Sequence, residues 1–217
     1  MTRPRTGNVR WMPVWTIVVA AGSGARFGER KQFQPLAGAR VLDWAVRAAR
    51  RVSDGVVLVV PEDAATSREP TVDRVVAGRA TRSGSVRSGL AVVPADAEIV
   101  LVHDAARPVP VPDVWTRVVA AVRAGADAAV PCVPVTDTLR VVGGATAPRE
   151  QFLAVQTPQG FRADVLRAAH SGDPEGTDDA SLVEAGGGRV VVVNGDPTNI
   201  KITTPADLLI AGLLCRR

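Results

Sequence analysis

Lysine is nearly absent from this chain of 217 residues: 26 residues are lysine or arginine, and only Lys31 and Lys201 are lysines. A sequence that prefers arginine so consistently is expected to use it wherever any cation suffices. The lysine ammonium is a compact charge on a flexible stem, which the planar guanidinium of arginine does not reproduce. We therefore expect specific roles for both lysines, the alternative being that they persist by chance.

Long apolar runs and cysteine clusters are also lacking. No apolar segment approaches the roughly 18 residues that span a membrane, so we expect no membrane association. The basic stretch 1–13 has no apolar core of the signal-peptide type, and we expect it to be a disordered tail. Cys132 and Cys215 are isolated and lack metal-site spacing, which indicates reduced thiols in a cytoplasmic protein.

The excess of positive charge lies at the two ends of the chain. The net charge is +4, but without five terminal arginines it falls to −1. Those residues are Arg3, Arg5, Arg10, Arg216 and Arg217. A nearly neutral body without a basic stripe argues against nucleic-acid binding.

The most informative segment is residues 17–34. An apolar run at 17–19 predicts a buried strand, which opens into a turn with Gly22 and Gly24, followed by Arg26 and Lys31. Glycines let backbone N–H groups approach a ligand closely, and two cations suit a polyphosphate. We therefore predict a nucleoside triphosphate site, the alternative being an ordinary strand-to-helix turn with solvated charges.

Two familiar glycine loops do not fit this segment. A P-loop needs Lys-Ser or Lys-Thr directly after its last glycine, whereas Gly28 is followed by Glu29 and Arg30. The dinucleotide fingerprint needs G-x-G-x-x-G, and the spacing of Gly22, Gly24 and Gly28 is one residue too long. The loop is therefore predicted to be of another nucleotide-binding type.

Apolar strands alternate with amphipathic helices along the chain. Strands are predicted at 17–19, 56–60, 72–76, 99–102, 128–133, 189–193 and 199–202, and helices at 41–51, about 83–93, 112–124, 163–169, from 177–179 onward, and from 204 to near 215. This alternation predicts a single α/β domain over 14–217, with a doubly wound, mostly parallel, Rossmann-like sheet. Residues 138–155, around a Gly-Gly pair, are predicted to form a projecting β-hairpin arm.

Ligands of such sheets lie beyond the carboxyl ends of the strands, and Asp104 follows the strand predicted at 99–102. Its carboxylate is suited to Mg²⁺, which uses few protein carboxylates. The alternative is a structural ion pair with Arg107. We expect His103 to make a structural hydrogen bond, because phosphoryl transfer depends mainly on positioning and charge.

Three hydroxyl side chains lie at predicted helix starts and have two open interpretations. Ser83 or Ser85 is placed to cap the helix at about 83–93, and Thr177 is placed to cap the helix predicted from 177–179 onward. Each is alternatively placed to contact a ligand at the helix start.

Seven segments resemble, in order, the cytidylyltransferases of the non-mevalonate isoprenoid pathway, which act on 2-C-methyl-D-erythritol 4-phosphate. They are AAGSGARFGERKQF, GRATRSGSVRSGL, VHDAARP, VTDTL, LAVQTPQGF, TDDAS and NIKITTPADL, and they all lie within residues 17–210. The first and third also occur in other sugar and polyol nucleotidyltransferases. HDAARP, QTPQGF and NIKITTPADL narrow the resemblance to this family and its relative acting on ribitol 5-phosphate.

The resemblance implies transfer of CMP from CTP to the substrate phosphate, with Mg²⁺ and release of pyrophosphate. It implies catalytic roles for Arg26, Lys31 and Lys201, and makes Asp104 the metal ligand. The nucleotide would lie against Ala20, Ala21, Gly22, Gly24, Gly78, Arg79, Ser85 and Ala105. The polyol phosphate would meet Asp104, Arg107, Arg149, Thr157, Thr177 and Lys201.

The resemblance also implies a homodimer with shared active sites. Arg149 and Thr157 match positions that the family supplies from the partner subunit's arm, here residues 138–155.

Overall fold

The computed structural model describes residues 12–24 and 27–216. Most of the predicted tail 1–13 and the predicted catalytic Arg26 therefore lie outside the described residues. The strands are β1 (Val14–Val19), β2 (Pro35–Leu36), β3 (Ala39–Arg40), β4 (Gly55–Val60), β5 (Arg74–Ala77), β6 (Ile99–Asp104), β7 (Ala128–Pro134), β8 (Leu139–Arg140), β9 (Thr146–Ala147), β10 (Leu153–Val155), β11 (Gln159–Arg162) and β12 (Val190–Asn194). The helices are α1 (Val41–Arg50), α2 (Arg82–Leu90), α3 (Pro112–Arg123), α4 (Ala163–Ala169), α5 (Asp179–Ala185) and α6 (Pro205–Leu214).

The main sheet has eight strands and follows the path β10-β7-β11-β6-β1-β4-β5, with β12 also paired to β7. The neighbours β6, β1, β4 and β5 run parallel, as do β7 and β12. Strands β10 and β11 run antiparallel to their partners. Ala128 of β7 pairs with both Val190 and Phe161, so β12 and β11 occupy opposite edges of β7. The predicted doubly wound, mostly parallel α/β fold is confirmed.

Helices cover both faces of the sheet because successive strand residues point to opposite sides. Val18 belongs to the core beneath α1 and α3, which includes Leu42 and Trp115. Ile17, its neighbour in β1, belongs to the opposite core beneath α2 and α4. Strand β4 is buried along its whole length, as expected of a central parallel strand. Among the helices of residues 12–24 and 27–216, none has the length and apolarity needed to cross a membrane.

Helix α2 lies unusually close to the sheet. A Cβ at Gly89 would stand 2.6 Å from Cγ2 of Ile17, so only glycine permits this approach. The close packing brings the first turn of α2 to the carboxyl edge of the strands.

The predicted helix caps are wrong by a few residues. The hydroxyl of Thr81, rather than Ser83 or Ser85, accepts a hydrogen bond from the N–H of Gly84 and caps α2. The carboxylate of Asp178, rather than Thr177, accepts from the N–H of Ser181 and caps α5.

One predicted strand is absent, and three strands were not predicted: the two-residue strands β2 and β3, and β11 of the main sheet. Residues 199–202 form no strand, because the N–H groups of Asn199, Ile200 and Ile202 donate to nearby carbonyls or to Ala106 instead of a sheet ladder. Strand β11 has a glycine inside and no clear polar–apolar alternation, so its sequence gives little strand signal.

The predicted hairpin is present as the separate two-stranded sheet of β8 and β9. Gly143 closes its turn at φ +72°. The boundary differs from the prediction, since residues 153–155 form β10 and pair with β7 in the main sheet. The name "arm" is kept below for residues 138–152.

Candidate active site

A cleft of about 540 Å³ opens where β1, β5 and β6 end. This is the edge at which parallel α/β sheets bind ligands. Ten of the predicted site residues line it: Ala20, Ala21, Gly22, Gly24, Lys31, Arg79, Ser85, Asp104, Ala105 and Lys201. Both lysines of the chain therefore face one cavity, although they are 170 positions apart in the sequence.

The glycine loop after β1 has a tightly folded backbone. Gly24 adopts φ +76°, and a Cβ there would overlap the carbonyl oxygen of Glu29. The buried side chain of Gln32 braces the loop, its Nε2 donating to the carbonyl oxygen of Gly22 at 3.0 Å. These contacts tie Gly22 and Gly24 to the segment that carries Lys31.

The turn that follows β5 forms the opposite wall. Gly78 does not line the cleft; a Cβ there would overlap Cβ of Ala21, so glycine allows the turn to pack against the end of β1. The Ser85 hydroxyl accepts from the N–H of Arg79 at 3.0 Å and donates to the carbonyl of Thr81 at 2.9 Å. Ser85 thus fixes the turn from within the cleft.

Asp104 ends β6 and lies between two cations. Its Oδ2 accepts from Nζ of Lys201 at 2.6 Å, and its Oδ1 lies 3.4 Å from Nε of Arg82. Burial alone would raise the pKa of the Asp104 carboxyl, but the charges of Arg82 and Lys201 outweigh it and hold this pKa well below its usual range. Asp104 is therefore a carboxylate at any physiological pH.

The alternative ion pair between Asp104 and Arg107 is wrong. The Arg107 guanidinium donates instead to the carbonyls of Asn199 at 2.6 Å and Val155 at 3.2 Å. Burial lowers the pKa of Arg107, which the field of Asp104 offsets only in part. Arg107 is thus a half-buried cation held by carbonyl oxygens, and it is not among the residues that line the cleft.

The structural hydrogen bonds predicted for His103 are confirmed. Its Nε2 donates to the carbonyl of Arg107 at 3.0 Å, and its Nδ1 accepts from the Thr157 hydroxyl at 3.1 Å. The ring also contacts Trp115, with centroids 4.6 Å apart. Burial lowers the pKa of His103 to about 4, so the imidazole is neutral at pH 7.

The predicted placement of Thr157 on the partner subunit's arm is wrong. Its hydroxyl accepts from the N–H of Asp104 at 3.1 Å and is buried inside its own protomer. Thr157 is therefore not carried by an arm to a partner subunit, as the resemblance implied. Its hydroxyl fixes the backbone of Asp104 in the same protomer.

Two further predicted residues lie away from the cleft of their own protomer. Arg149 follows the hairpin, and its Nη1 donates to the carbonyl of Thr136 at 2.6 Å. Thr177 is exposed on the loop before α5. Neither is among the residues that line the cavity.

Arg82 was missed by the sequence reasoning. It opens α2, lines the cleft and contacts both Asp104 and Asp179. In a chain so rich in arginine, nothing in the composition singles it out. A useful signal was its position at a helix start that follows a predicted strand, where side chains reach the ligand edge.

A model of the family described as 2-C-methyl-D-erythritol 4-phosphate cytidylyltransferase matches residues 14–217. The chain belongs to this family. The resemblance drawn from the motifs is confirmed, and the ribitol 5-phosphate alternative is set aside.

Relatives with the same name cover nearly the whole chain. The 2-C-methyl-D-erythritol 4-phosphate cytidylyltransferase of Rhodococcus opacus is 47% identical over 215 residues, covering 93% of this chain and 95% of that protein. The enzyme of Nocardia farcinica is 46% identical over 218 residues and covers 94% of each chain. The crystal structure of the Thermus thermophilus enzyme is 37% identical with a TM-score of 0.83, covering 95% of this chain and 100% of that one.

Membership of the 2-C-methyl-D-erythritol 4-phosphate cytidylyltransferase family defines the reaction. The protein is a nucleotidyltransferase that transfers CMP from CTP to 2-C-methyl-D-erythritol 4-phosphate in isoprenoid precursor biosynthesis. Enzymes of this kind generally depend on a divalent cation.

Proposed function

We propose that the cleft at the ends of β1, β5 and β6 is where cytidylyl transfer takes place, and that Lys31, Asp104 and Lys201 carry it. The observation that supports this proposal is their convergence on one cavity of about 540 Å³. Two anionic groups must meet there, the triphosphate of CTP and the substrate phosphate, and the β- and γ-phosphates then depart as pyrophosphate.

Electrostatic repulsion is the main obstacle to this reaction. An oxygen of the substrate phosphate bonds to the α-phosphorus of CTP, and the bond from that phosphorus to the pyrophosphate oxygen breaks. Two unit charges about 4 Å apart interact by roughly 4 kcal/mol at an effective dielectric near 20. The nucleophile is already an anionic oxygen, so the site needs cations and alignment rather than a strong base. A neutral, buried His103 is consistent with such a site.

The two lysines have complementary positions. Lys31 stands beyond the glycine loop, where it would meet the terminal phosphates, together with Arg26 of the same loop. Lys201 lines the same cleft beside Asp104, where it would bridge the α-phosphate and the attacking phosphate. The ammonium of a lysine can follow these groups because its stem is flexible.

The nucleoside would lie between the loop and the turn after β5. Ala20 and Ala21 are small and leave room for a sugar or a base. The turn at Arg79, fixed by Ser85, presents backbone groups that could read the edge of cytosine. Ala105 continues this wall after β6.

The residues of the cleft fit a magnesium ion. Mg²⁺ keeps several waters and binds through one or two carboxylates plus substrate phosphates. Among residues 12–24 and 27–216, no three metal-ligating His, Cys, Asp or Glu side chains cluster together. Among the side chains of residues 12–24 and 27–216, Lys201 and Arg82 take two of the roughly four acceptor positions of the Asp104 carboxylate, which leaves two for a metal ion. Asp104 would hold the ion, which when bound supplies positive charge to the phosphates.

The substrate end would be completed by Arg107, Thr177 and a partner subunit. Arg149 does not line the cleft of its own protomer. The arm around it exposes apolar side chains, with Val141 58%, Val142 fully and Phe152 44% accessible. Apolar groups so exposed commonly mark an interface. We therefore infer a homodimer in which Arg149 of each arm enters the other protomer's site.

A cytoplasmic location is also proposed, from the state of the cysteines. Cys132 and Cys215 are both buried and unpaired. Free buried thiols are usual in a reducing compartment.

A pyrophosphate-release assay tests the proposal. With CTP and 2-C-methyl-D-erythritol 4-phosphate we expect rapid release, and with ribitol 5-phosphate at most a few per cent of that rate, about a 50-fold preference or more. Asp104→Asn should abolish release, whereas Arg162→Gln, which removes an exposed ion pair with Asp164, should leave it unchanged. Full activity in Asp104→Asn would refute the assignment of the cleft.

A further inference from the structure

Arg82 connects the cleft to a second, fully buried carboxylate. Its Nη1 lies 2.7 Å from Oδ2 of Asp179, while its Nε lies 3.4 Å from Oδ1 of Asp104. The Asp179 side chain has no exposed surface, and that of Arg82 is 25% exposed. One guanidinium therefore joins a carboxylate in the core to the carboxylate at the cleft.

Asp179 is itself held from behind by His170. Nε2 of His170 lies 3.0 Å from Oδ1 of Asp179, and both side chains are buried. An ionised carboxylate only accepts hydrogen bonds, so this nitrogen carries a proton and donates it. Each oxygen of Asp179 then has one partner, His170 or Arg82. Turning Arg82 away would leave a buried charge unpaired, which is strongly unfavourable.

The other cation on Asp104 is less constrained. The Lys201 side chain is 40% exposed and comes from a segment outside regular secondary structure. In the proposed reaction Lys201 binds the phosphates, so its ammonium must move away from Asp104. Arg82 cannot follow, because Asp179 holds its other edge. The two cations on Asp104 thus differ in kind, one fixed and one able to move.

We propose that Arg82 is a positioning residue for cytidylyl transfer: fixed by Asp179 and His170, it keeps the Asp104 carboxylate in place while Lys201 engages the phosphates. The inference rests on the proposed roles of Asp104 and Lys201. It adds three residues, from α2, α5 and the segment that follows α4, to the set that supports the reaction.

A double-mutant cycle separates positioning from a structural role. Arg82→Gln and Asp179→Asn each leave a buried charge without its partner, so each should lose stability and lower kcat about tenfold or more. In Arg82→Gln/Asp179→Asn the two amides can pair and stability should recover, but kcat should stay as low as in Arg82→Gln. Recovery of kcat together with stability would overturn the proposal, as would kcat within twofold of wild type in either single variant.

Arg40→Gln is the matched control. Arg40 lies at the start of α1 and, like Arg82, holds two carboxylates, Asp43 at 2.7 Å and Glu69 at 2.8 Å, but it lies outside the cleft. We expect lower thermal stability and unchanged kcat. All kinetics are measured at a temperature where circular dichroism shows each variant folded.

The scarcity of lysine provides a second measurement that does not depend on turnover. Protein labelled with ¹³C at the lysine ε carbon should give two side-chain signals, assigned with Lys31→Arg. The Lys201 signal should move in Arg82→Gln and in Asp179→Asn, and stay in place in Arg40→Gln. An unmoved Lys201 signal in both cleft variants would contradict a shared carboxylate.

Two variants of His170 test the same inference if Asp179→Asn does not fold. The amide of His170→Gln can replace the Nε2 donor, so kcat should stay within threefold, whereas His170→Leu should lower it about tenfold. Equal kcat in the two variants would overturn the role of His170. Asp104→Asn distinguishes failure of this inference from failure of the proposed function. If Asp104→Asn is inactive while the Arg82, Asp179 and His170 variants are active, the role of Arg82 is refuted and the assignment of the cleft stands.

Discussion

Nζ of Lys201 lies 2.6 Å from Oδ2 of Asp104, although 97 positions separate them in the chain. Asp104 is placed by a buried strand, and Lys201 by a loop whose Ile202 N–H donates to the carbonyl of Ala106. The fold thus brings a carboxylate and one of two lysines to the edge of the sheet where the other lysine also lines the cleft. In this arrangement a phosphate can replace the carboxylate as the partner of Lys201.

Arginine should not replace either lysine. Lys31→Arg and Lys201→Arg keep the charge but introduce a planar fork with a different reach. We expect kcat to fall by about two orders of magnitude in each, comparable to the loss of a transition-state donor. Steady-state pyrophosphate release measures this. Wild-type kcat in both variants would mean that the rarity of lysine has no functional meaning here.

The glycine loop offers a matched pair of substitutions. Gly24→Ala is expected to destroy CTP binding, because its Cβ would overlap the carbonyl of Glu29 at a positive φ. Gly28 also has positive φ, +94°, but no atom of the described residues lies within 4 Å of the place its Cβ would take, so Gly28→Ala should cost only about 1 kcal/mol of stability. Titration calorimetry with CTP compares them. Equal affinities would show that the shape of the loop is unimportant.

Much of this arrangement follows from local sequence, and some of it does not. The strands at β1, β4 and β6 are apolar runs, and the helix predicted from 204 is α6, which starts at Thr204-Pro205 with a capping box to Asp207. Asp104 and Lys31 could be placed at one edge because each follows a predicted strand and parallel strands end at the same edge, whereas the place of Lys201 came from the family resemblance.

The features that were missed depend on contacts distant in sequence. The interaction of Arg82 with Asp179 spans 97 positions, and no local pattern marks it. Strand β11 forms because β6 and β7 present free edges to it, despite its weak strand signal. Residues 199–202 have the apolar alternation of a strand, but the β-sheet has no place for them and Ala106 takes the N–H of Ile202.

Stability should depend on pH through His103. Its folded pKa, about 4, lies below the unfolded value of 6.5, so the unfolded state binds a proton first as the pH falls. The contribution of the neutral His103 to the free energy of unfolding is fully present above about pH 6.5 and is lost as the pH falls towards 4. Linkage predicts a loss of about 2 kcal/mol between pH 7 and pH 5. Urea unfolding should show this loss in the wild type and a smaller one in His103→Gln; identical pH slopes would refute the assignment.

The shared active site can be tested with mixed subunits. Arg149→Ala damages the arm and Lys201→Ala the cleft, so each homodimer should be inactive. A hybrid has one intact site, and random exchange should restore about one quarter of wild-type activity. Stable hybrids without activity would show that Arg149 acts within its own protomer.

The arm should also control association. Val142 is fully exposed in the single protomer. Val142→Glu places a charge in the proposed interface and should weaken the dimer by at least about tenfold in Kd, since an unpaired buried charge is costly. Sedimentation at several concentrations measures this. A matched change outside the arm, Leu209→Glu on α6, should leave association as it is, and a dimer unaffected by Val142→Glu would exclude the arm as the interface.

The central claim is that Lys201 takes part directly in cytidylyl transfer from its place beside Asp104. The most direct measurement is kcat of Lys201→Ala for pyrophosphate release at saturating CTP and 2-C-methyl-D-erythritol 4-phosphate, with folding checked by circular dichroism. We predict a folded protein whose kcat is lower by about 100-fold or more. A folded Lys201→Ala enzyme with nearly normal kcat would contradict the account.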